Sequence, residues 1–234
     1  MEETREGLLI RPIAHIRSDF QEKFGIPRQS GLVEALRAEV VFQPEYRDMS
    51  AVRGLEDFSH IWLIWGFSAV QREGWSPTVR PPRLGGNRRM GVFATRSPFR
   101  PNRLGLSCLR LVSVRQDARL GPVLTVGGAD LLDHTPIYDI KPYLPYADSR
   151  PDAAGGFASR PQGAVLRVDA PPELLARVPE EKRAALLGVL AQDPRPPYQD
   201  DPARVYGVSF GGLEVRFRVE GDVLTLVEVL PKFS

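Results

Sequence analysis

Along the first 150 positions the apolar residues fall in short runs, rich in β-branched and aromatic side chains and bounded by turn-forming residues. Such runs predict strands. They cover Leu8 to Ile16, Ala38 to Phe42, His60 to Phe67, Gly91 to Ala94, Leu104 to Val114 and Val123 to Val126. Helical periodicity is scarce before residue 165. Parallel sheets need helical crossovers between their strands, so this part predicts a mostly antiparallel barrel or sandwich over residues 1–150, not a doubly wound sheet. Long loops rich in Gly and Pro, Ser76 to Arg89 and Ser97 to Arg103 among them, separate the strands. In a compact domain, loops of that length more often carry function than mere connection.

The pattern changes after residue 146. From Ala147 to Gln162 small and polar residues read as a linker or exposed crossing, and a second unit is expected over residues 163–234. Pro171 and Pro172 open one short helix. Pro179 with Glu180 and Glu181 opens another, because proline suits the first turn and carboxylates suit the positive end of the helix dipole. Leu186, Leu187 and Leu190 share one face of that helix, and Pro194 ends it. Three strands follow, Val205 to Phe210, Leu213 to Val219 and Val223 to Leu230, joined at Gly211-Gly212 and Gly221-Asp222. In the middle strand Leu213, Val215, Phe217 and Val219 alternate with Glu214, Arg216, Arg218 and Glu220, which is the pattern of a half-buried sheet. The whole therefore reads as mainly β, with a small C-terminal α+β domain.

Composition narrows the function classes. With 234 residues, 42% hydrophobic and 26% charged, the chain can bury a substantial core. It contains no apolar run near the roughly 18 to 20 residues of a membrane span, and its acidic start is unlike a signal peptide, so a cytoplasmic protein without a membrane partner is expected. A single cysteine, Cys108, excludes an internal disulfide and multi-thiolate zinc; among Leu104, Leu106, Leu109 and Leu111 it reads as an inert buried thiol. His15, His60 and His134 lie far apart in sequence, so no metal is expected. The GxGxxG, GxxxxGK[ST] and HExxH signatures are missing. The net charge of +2 conceals an uneven distribution: residues 74–116 hold nine arginines and no carboxylate, and residues 150–234 sum to −1. Guanidinium forks grip planar oxyanions in pairs, which suits phosphate or carboxylate binding. The alternative is a solvated surface with arginine favoured by codon use.

Three dense polar segments exceed what turns require: Phe24 to Gly31, Phe93 to Asn102 and Asp130 to Tyr143. With them the chain closely resembles the TsaA-like (TrmO) family over nearly its whole length. The likeness includes Ile13-Ala14-His15-Ile16-Arg17-Ser18, the loop Pro27 to Gly31, Phe58-Ser59-His60-Ile61-Trp62 and Arg80 to Gly86. It continues through Gly91 to Asn102, Asp130 to Asp133, Thr135-Pro136, Asp139 to Tyr143, Asp193 to Pro196 and Tyr206-Gly207-Val208. The resemblance implies an N-terminal antiparallel β-barrel that binds S-adenosylmethionine without a Rossmann fold, a C-terminal unit that helps hold tRNA, and a homodimer. It implies methyl transfer to N6 of threonylcarbamoyladenosine beside the anticodon, with donor contacts at Pro27, Arg28, Gln29, Phe67, Ser68, Arg96, Leu106, Asp133, His134, Thr135 and Pro136. Two positions depart from the family pattern. Ser68 stands where histidine is common, and His134 stands where glycine is, although histidine accepts left-handed backbone better than most residues.

Methyl transfer from a sulfonium needs alignment more than acid–base machinery. Under that reading Asp133 holds a donor hydroxyl or ammonium, Arg28 or Arg96 its carboxylate, and Phe67 its adenine face. The N6 hydrogen lies in a urea-like group, so a weak base suffices; Asp139, Lys141 and Tyr143 are candidates, with polar stapling of their loop as the alternative role. Arg80, Arg83, Arg88 and Arg89 are expected to lean toward RNA, joined by Arg195 from the second unit. A non-catalytic RNA-binding module and a methyltransferase of another small acceptor remain the competing classes.

Overall fold

A computed structural model describes residues 7–69, 74–85, 87–159, 165–196, 199 and 201–232; the side chain of Arg83 lies outside the described residues. The N-terminal strands are β1 (Ala14–Arg17), β2 (Arg37–Phe42), β3 (His60–Gly66), the short pair β4 (Thr78–Val79) and β5 (Met90–Gly91), β6 (Leu104–Asp117), β7 (Gly121–Gly127) and β8 (Pro136–Pro142). Six of them close into a barrel in the order β1-β2-β7-β6-β3-β8, every neighbour antiparallel. Alternation does this. Ala14, Ile16, Val40, Ile61, Leu63, Leu109, Leu124, Val126 and Ile137 point inward and are buried, while most intervening residues are at least partly exposed, Val41 and Val123 being among the buried exceptions. Closure leaves no open sheet edge, and the interior is filled by side chains.

Three expectations need correction. The first strand begins at Ala14, not Leu8: its partner β2 ends at Phe42, opposite Ala14, and turns away at Pro44–Tyr46, so Leu8 and Leu9 find no strand beside them and stay exposed. The run Gly91 to Ala94 is a strand only at Gly91. Val92–Ala94 form a 3-10 turn that buries Val92 and turns Phe93 outward. Conversely, β8 was hidden by prolines at both of its ends, positions where a missing N–H breaks no interior ladder bond.

The N-terminal part closes with α1 (Pro145–Asp148), and the C-terminal part contains β9 (Arg167–Asp169), α2 (Pro172–Leu175), α3 (Glu180–Ala191), β10 (Tyr206–Phe210), β11 (Leu213–Glu220) and β12 (Val223–Pro231). Its sheet runs β10-β11-β12-β9, with β9 parallel to β12, and α3 buries Ala185, Leu186, Val189 and Leu190. This second core also takes in Phe20, Val33 and Leu36 from the loop between β1 and β2. Lys182 of α3 pairs with Asp19 at 2.5 Å, and Lys232 pairs with Glu22. At Gly25 and Gly188 an added Cβ would lie inside 3.0 Å of Val208 and Val33 respectively. The loop that leads to Pro27, Arg28 and Gln29 is thus pressed between barrel and C-terminal sheet, and its position depends on both.

Candidate functional site

A cleft of about 1590 Å³ opens where that loop meets the basic loops of the barrel and the turn after α3. Pro27, Arg28 and Gln29 line it from one side, Arg80, Arg89 and Arg96 from a second, and Asp193 and Arg195 from the C-terminal part. Gly25 and Gly31, both at positive φ, reverse the chain on either side of Pro27, and Gly31 is tied to the barrel by its N–H to the Gly128 carbonyl at 2.9 Å. Pro27 is buried; Arg28 and Gln29 project into the open space. Arg96 Nη1 donates to Gln29 Oε1 at 2.5 Å, which joins the first two walls. On the third wall Arg195 grips Asp193 with Nε and Nη2 at 2.8 and 2.9 Å, and the arginine side chain is only 12% exposed. Burial pushes the Asp193 carboxyl up, but the bonds from Arg195 and the charges of Arg195 and Arg28 outweigh it and hold the group below its ordinary value.

Near Arg96 runs a polar chain that sequence reasoning did not assign. Trp65 Nε1 donates to Ser107 Oγ at 3.0 Å, and Ser107 Oγ donates to Asp130 Oδ1 at 2.8 Å. Burial pushes the Asp130 carboxyl up, opposed by the Ser107 bond and the charge of Arg96. Trp65 packs edge-on against Phe67 with ring centres 4.4 Å apart and lies over Gly105, where any Cβ would meet the indole inside 3.0 Å. Lys23, also on the cleft, donates to the Ala69 carbonyl, so the Phe67–Ser68 segment that follows β3 stands beside the same loop. The one signal in the sequence was the first aspartate of Asp130-Leu131-Leu132-Asp133, an acid within an apolar run. The expected linker contributes too: Gly155, Phe157, Ala158 and Ser159 line the cleft, while residues 160–162 lie outside the described residues.

Other predicted residues lie elsewhere. Ser68 and Leu106 are exposed, Leu106 on β6 opposite Ile64. Asp133 to Pro136 form the turn into β8, and Asp133 Oδ1 accepts from the Ser18 N–H at 3.0 Å. His134 has φ 60°, the left-handed geometry that a glycine would take there, and its ring stacks on His15 at 5.7 Å. Thr135 is buried and Pro136 begins the strand. Asp139 and Lys141 form an ion pair at 3.0 Å on the outer face of β8, and Tyr143 packs between His60 and Trp62. None of these is among the described residues that line the large cleft.

The arginine segment also divides. Arg80, Arg88 and Arg89 are exposed, whereas Arg115 is neutralised by Glu39 at 2.7 Å and Asp117 at 3.1 Å, both from outside the carboxylate-free stretch. Arg83 sits in the 3-10 turn Pro82–Leu84. Arg100 donates to the Thr95 carbonyl at 2.7 Å and so braces its own loop. Burial raises the Cys108 thiol, in keeping with an inert role. Gly207 to Gly211 has GxSxG spacing. Ser209 there is buried between Glu22 and Lys232 at the end of β10, not raised on a strand-to-helix elbow as a nucleophile would be.

The cleft suits a ligand with an apolar ring and a carboxylate: Phe24, Ile26, Pro27 and Phe99 offer apolar walls and Arg28 an exposed fork. Among the described residues no cluster of His, Cys, Asp or Glu is placed to hold a metal ion, and no helix is long and apolar enough to cross a membrane. Residues 15–149 match the model of the tRNA-methyltransferase O N-terminal domain, and residues 164–232 that of the TrmO C-terminal domain. A tRNA (adenine(37)-N6)-methyltransferase of Escherichia coli (strain K12) is 46% identical over 217 residues, 88% of this chain and 91% of that one. Its counterpart from Eikenella corrodens is 51% identical over 173 residues, 74% of this chain and 97% of that one. A crystal structure of TrmO from Pseudomonas aeruginosa superimposes with a TM-score of 0.80 at 34% identity, covering 98% of this chain and all of that one. Matched along both its barrel and its C-terminal sheet, the chain belongs to the tRNA-methyltransferase O (TrmO) family.

Proposed function

We propose that this protein transfers a methyl group from S-adenosylmethionine to N6 of threonylcarbamoyladenosine beside the anticodon of tRNA. The observation that carries the reading is the convergence of Pro27 to Gln29, Arg96 and Arg195 on one cleft, from loops far apart in sequence. The sulfonium donor, when bound, supplies an activated methyl that needs no metal. The chain's task is then to bind two substrates and orient them. Pro27 and Phe67 offer apolar surface to the adenine, and Arg28 with Arg96 offers cations to the donor carboxylate. Gln29 holds Arg96 in place. Arg80, Arg83, Arg88 and Arg89 take RNA phosphates, and Arg195, steadied by Asp193, steers the incoming strand.

Asp133 to Pro136 and the proton acceptors Asp139, Lys141 and Tyr143 fit this scheme through a homodimer that carries the outer face of β8, with exposed Leu106, to a neighbour's cleft. On that account residues 1–150 carry donor binding, residues 163–234 support the acceptor, and the protein works in the cytoplasm. The test is mass spectrometry of nucleosides from tRNA incubated with the purified protein and S-adenosylmethionine. Gain of 14 mass units on threonylcarbamoyladenosine, about one CH₂, is expected. Unchanged tRNA with methylation of a small acceptor instead would move the protein to the competing class.

A further inference from the structure

Two large aromatic side chains stand in water, Phe93 on the lining of the cleft and Trp75 beside it. Phe93 is 72% exposed and Trp75 is 52% exposed. Their rings are nearly parallel, 22° apart in plane with centres 6.4 Å apart, so neither covers the other. Burying such a side chain is ordinarily favourable, and the backbone here does the opposite. Val92 is anchored in the interior, its N–H bonds to the Pro77 carbonyl at 3.0 Å, and Thr95 caps the turn through its N–H and hydroxyl on the Val92 carbonyl. That turn holds Phe93 outward. Arg100, fixed by the Thr95 carbonyl, places its guanidinium carbon 5.9 Å from the Phe93 ring centre. The result is a rigid aromatic pair with a fixed cation beside it, in a segment of the chain that contains no carboxylate.

We infer that Phe93 and Trp75 form a stacking platform for an unpaired base of an RNA strand, an inference that rests on the tRNA reading above. Bases offer π-faces to exposed aromatics, and the strand's phosphates fall on cations spaced beside them. Arg89, held by a bond to Thr78 Oγ1 at 3.2 Å, and Arg80 line the same cleft as Phe93. Volume favours RNA over the donor's own adenine as occupant: at about 1590 Å³ the cleft exceeds the roughly 300 to 1,000 Å³ of a small-ligand pocket, which leaves room for a nucleotide. A donor also buries most of its surface, and the rim position of Phe93 is too open for that.

The test uses the full chain and an anticodon stem-loop RNA, labelled for anisotropy, with 2-aminopurine placed at successive loop positions. Phe93→Leu keeps apolar bulk and removes the π-face; Trp75→Leu does the same for its partner. Both side chains are exposed, so thermal midpoints should stay near that of the parent. Each variant should lose RNA affinity by about 5- to 150-fold and lose the 2-aminopurine quenching at one loop position. Phe93→Tyr should restore both, and affinity for S-adenosylmethionine should be unchanged in calorimetric titration. Unchanged RNA affinity in both leucine variants would overturn the platform while leaving the methyltransferase reading intact. Loss of donor affinity alone would assign the ring to the donor and also overturn it. Phe93-dependent RNA binding without any methyl transfer would keep the platform and remove the enzymatic reading.

Discussion

Gly25 tests whether the C-terminal sheet sets the position of the loop that carries Arg28. It sits at φ +87°, and a Cβ there would come inside 3.0 Å of Val208 Cγ2, a side chain 2% exposed on β10. Two costs follow for Gly25→Ala. The left-handed backbone costs a non-glycine residue about 1 to 2 kcal/mol. The overlap adds about 1 to 3 kcal/mol of overpacking, because a buried β-branched valine has little rotamer freedom with which to move aside. Gly31 separates the two: it has φ +79° and nothing within 4 Å of a Cβ, so Gly31→Ala should carry only the first cost. Urea melts of both variants should therefore differ by about 1 to 3 kcal/mol, with Gly25→Ala the less stable. Val208→Ala removes the methyl in the way, and a double-mutant cycle between positions 25 and 208 should recover most of the difference. Calorimetry with S-adenosylmethionine supplies the functional readout: Gly25→Ala should weaken donor binding tenfold or more, by about the effect of a small displacement of Arg28. Equal stability of the two alanine variants, or a cycle with no coupling, would refute the claim that the sheet holds this loop.

Four shorter predictions accompany it. Arg28→Ala should lower methyl transfer by roughly 10- to 150-fold, the worth of a charge-assisted contact, and leave the thermal midpoint in place because the side chain is exposed; full activity would mean the donor binds elsewhere. Asp130→Asn should melt higher than the parent at pH 7, since burial raises the folded carboxyl and its ionised form costs stability above that value. The advantage should vanish as pH falls below the ordinary carboxyl range, and a pH-independent gap would contradict this cause. Arg195→Ala should cost about 2 kcal/mol at neutral pH by stranding a partly buried Asp193. That penalty comes from a depressed carboxyl, so it should be fully present above about pH 4 and shrink as pH falls through the lower folded value. Finally, if two chains complete each site, mixing the impaired Arg28→Ala and Asp133→Asn subunits should raise activity above that of either alone, toward about a quarter of the parent; no gain after subunit exchange would place all the residues of one site in one chain.

How much of this was written in one dimension differs from element to element. The alternation of Leu213, Val215, Phe217 and Val219 marked β11, and the carboxylates after Pro179 marked the start of α3, because both signals are local and repeat with the period of the backbone. The sequence also marked Pro27, Arg28, Gln29, Arg96 and Arg195 as chemically unusual. It could not bring them together, nor show that Arg115, which has no carboxylate near it in its own segment, meets Glu39 from β2 over the intervening strand β7. Phe93 and Trp75 read as ordinary apolar residues until the turn at Val92 showed which way one of them points.

By itself, then, the sequence determined the strand-rich character, the second unit's helices and hairpins, and the residue types suited to an anionic partner. Those follow from side-chain period, turn chemistry and charge, which neighbouring residues settle among themselves. Tertiary structure alone decided barrel closure, the sharing of Phe20, Val33 and Leu36 with the C-terminal core, and the cleft that joins the Arg28 loop to Arg195. It also decided the burial that raises Asp130. Each of these depends on contacts between residues distant in the chain, where packing and desolvation act and no local pattern records the result.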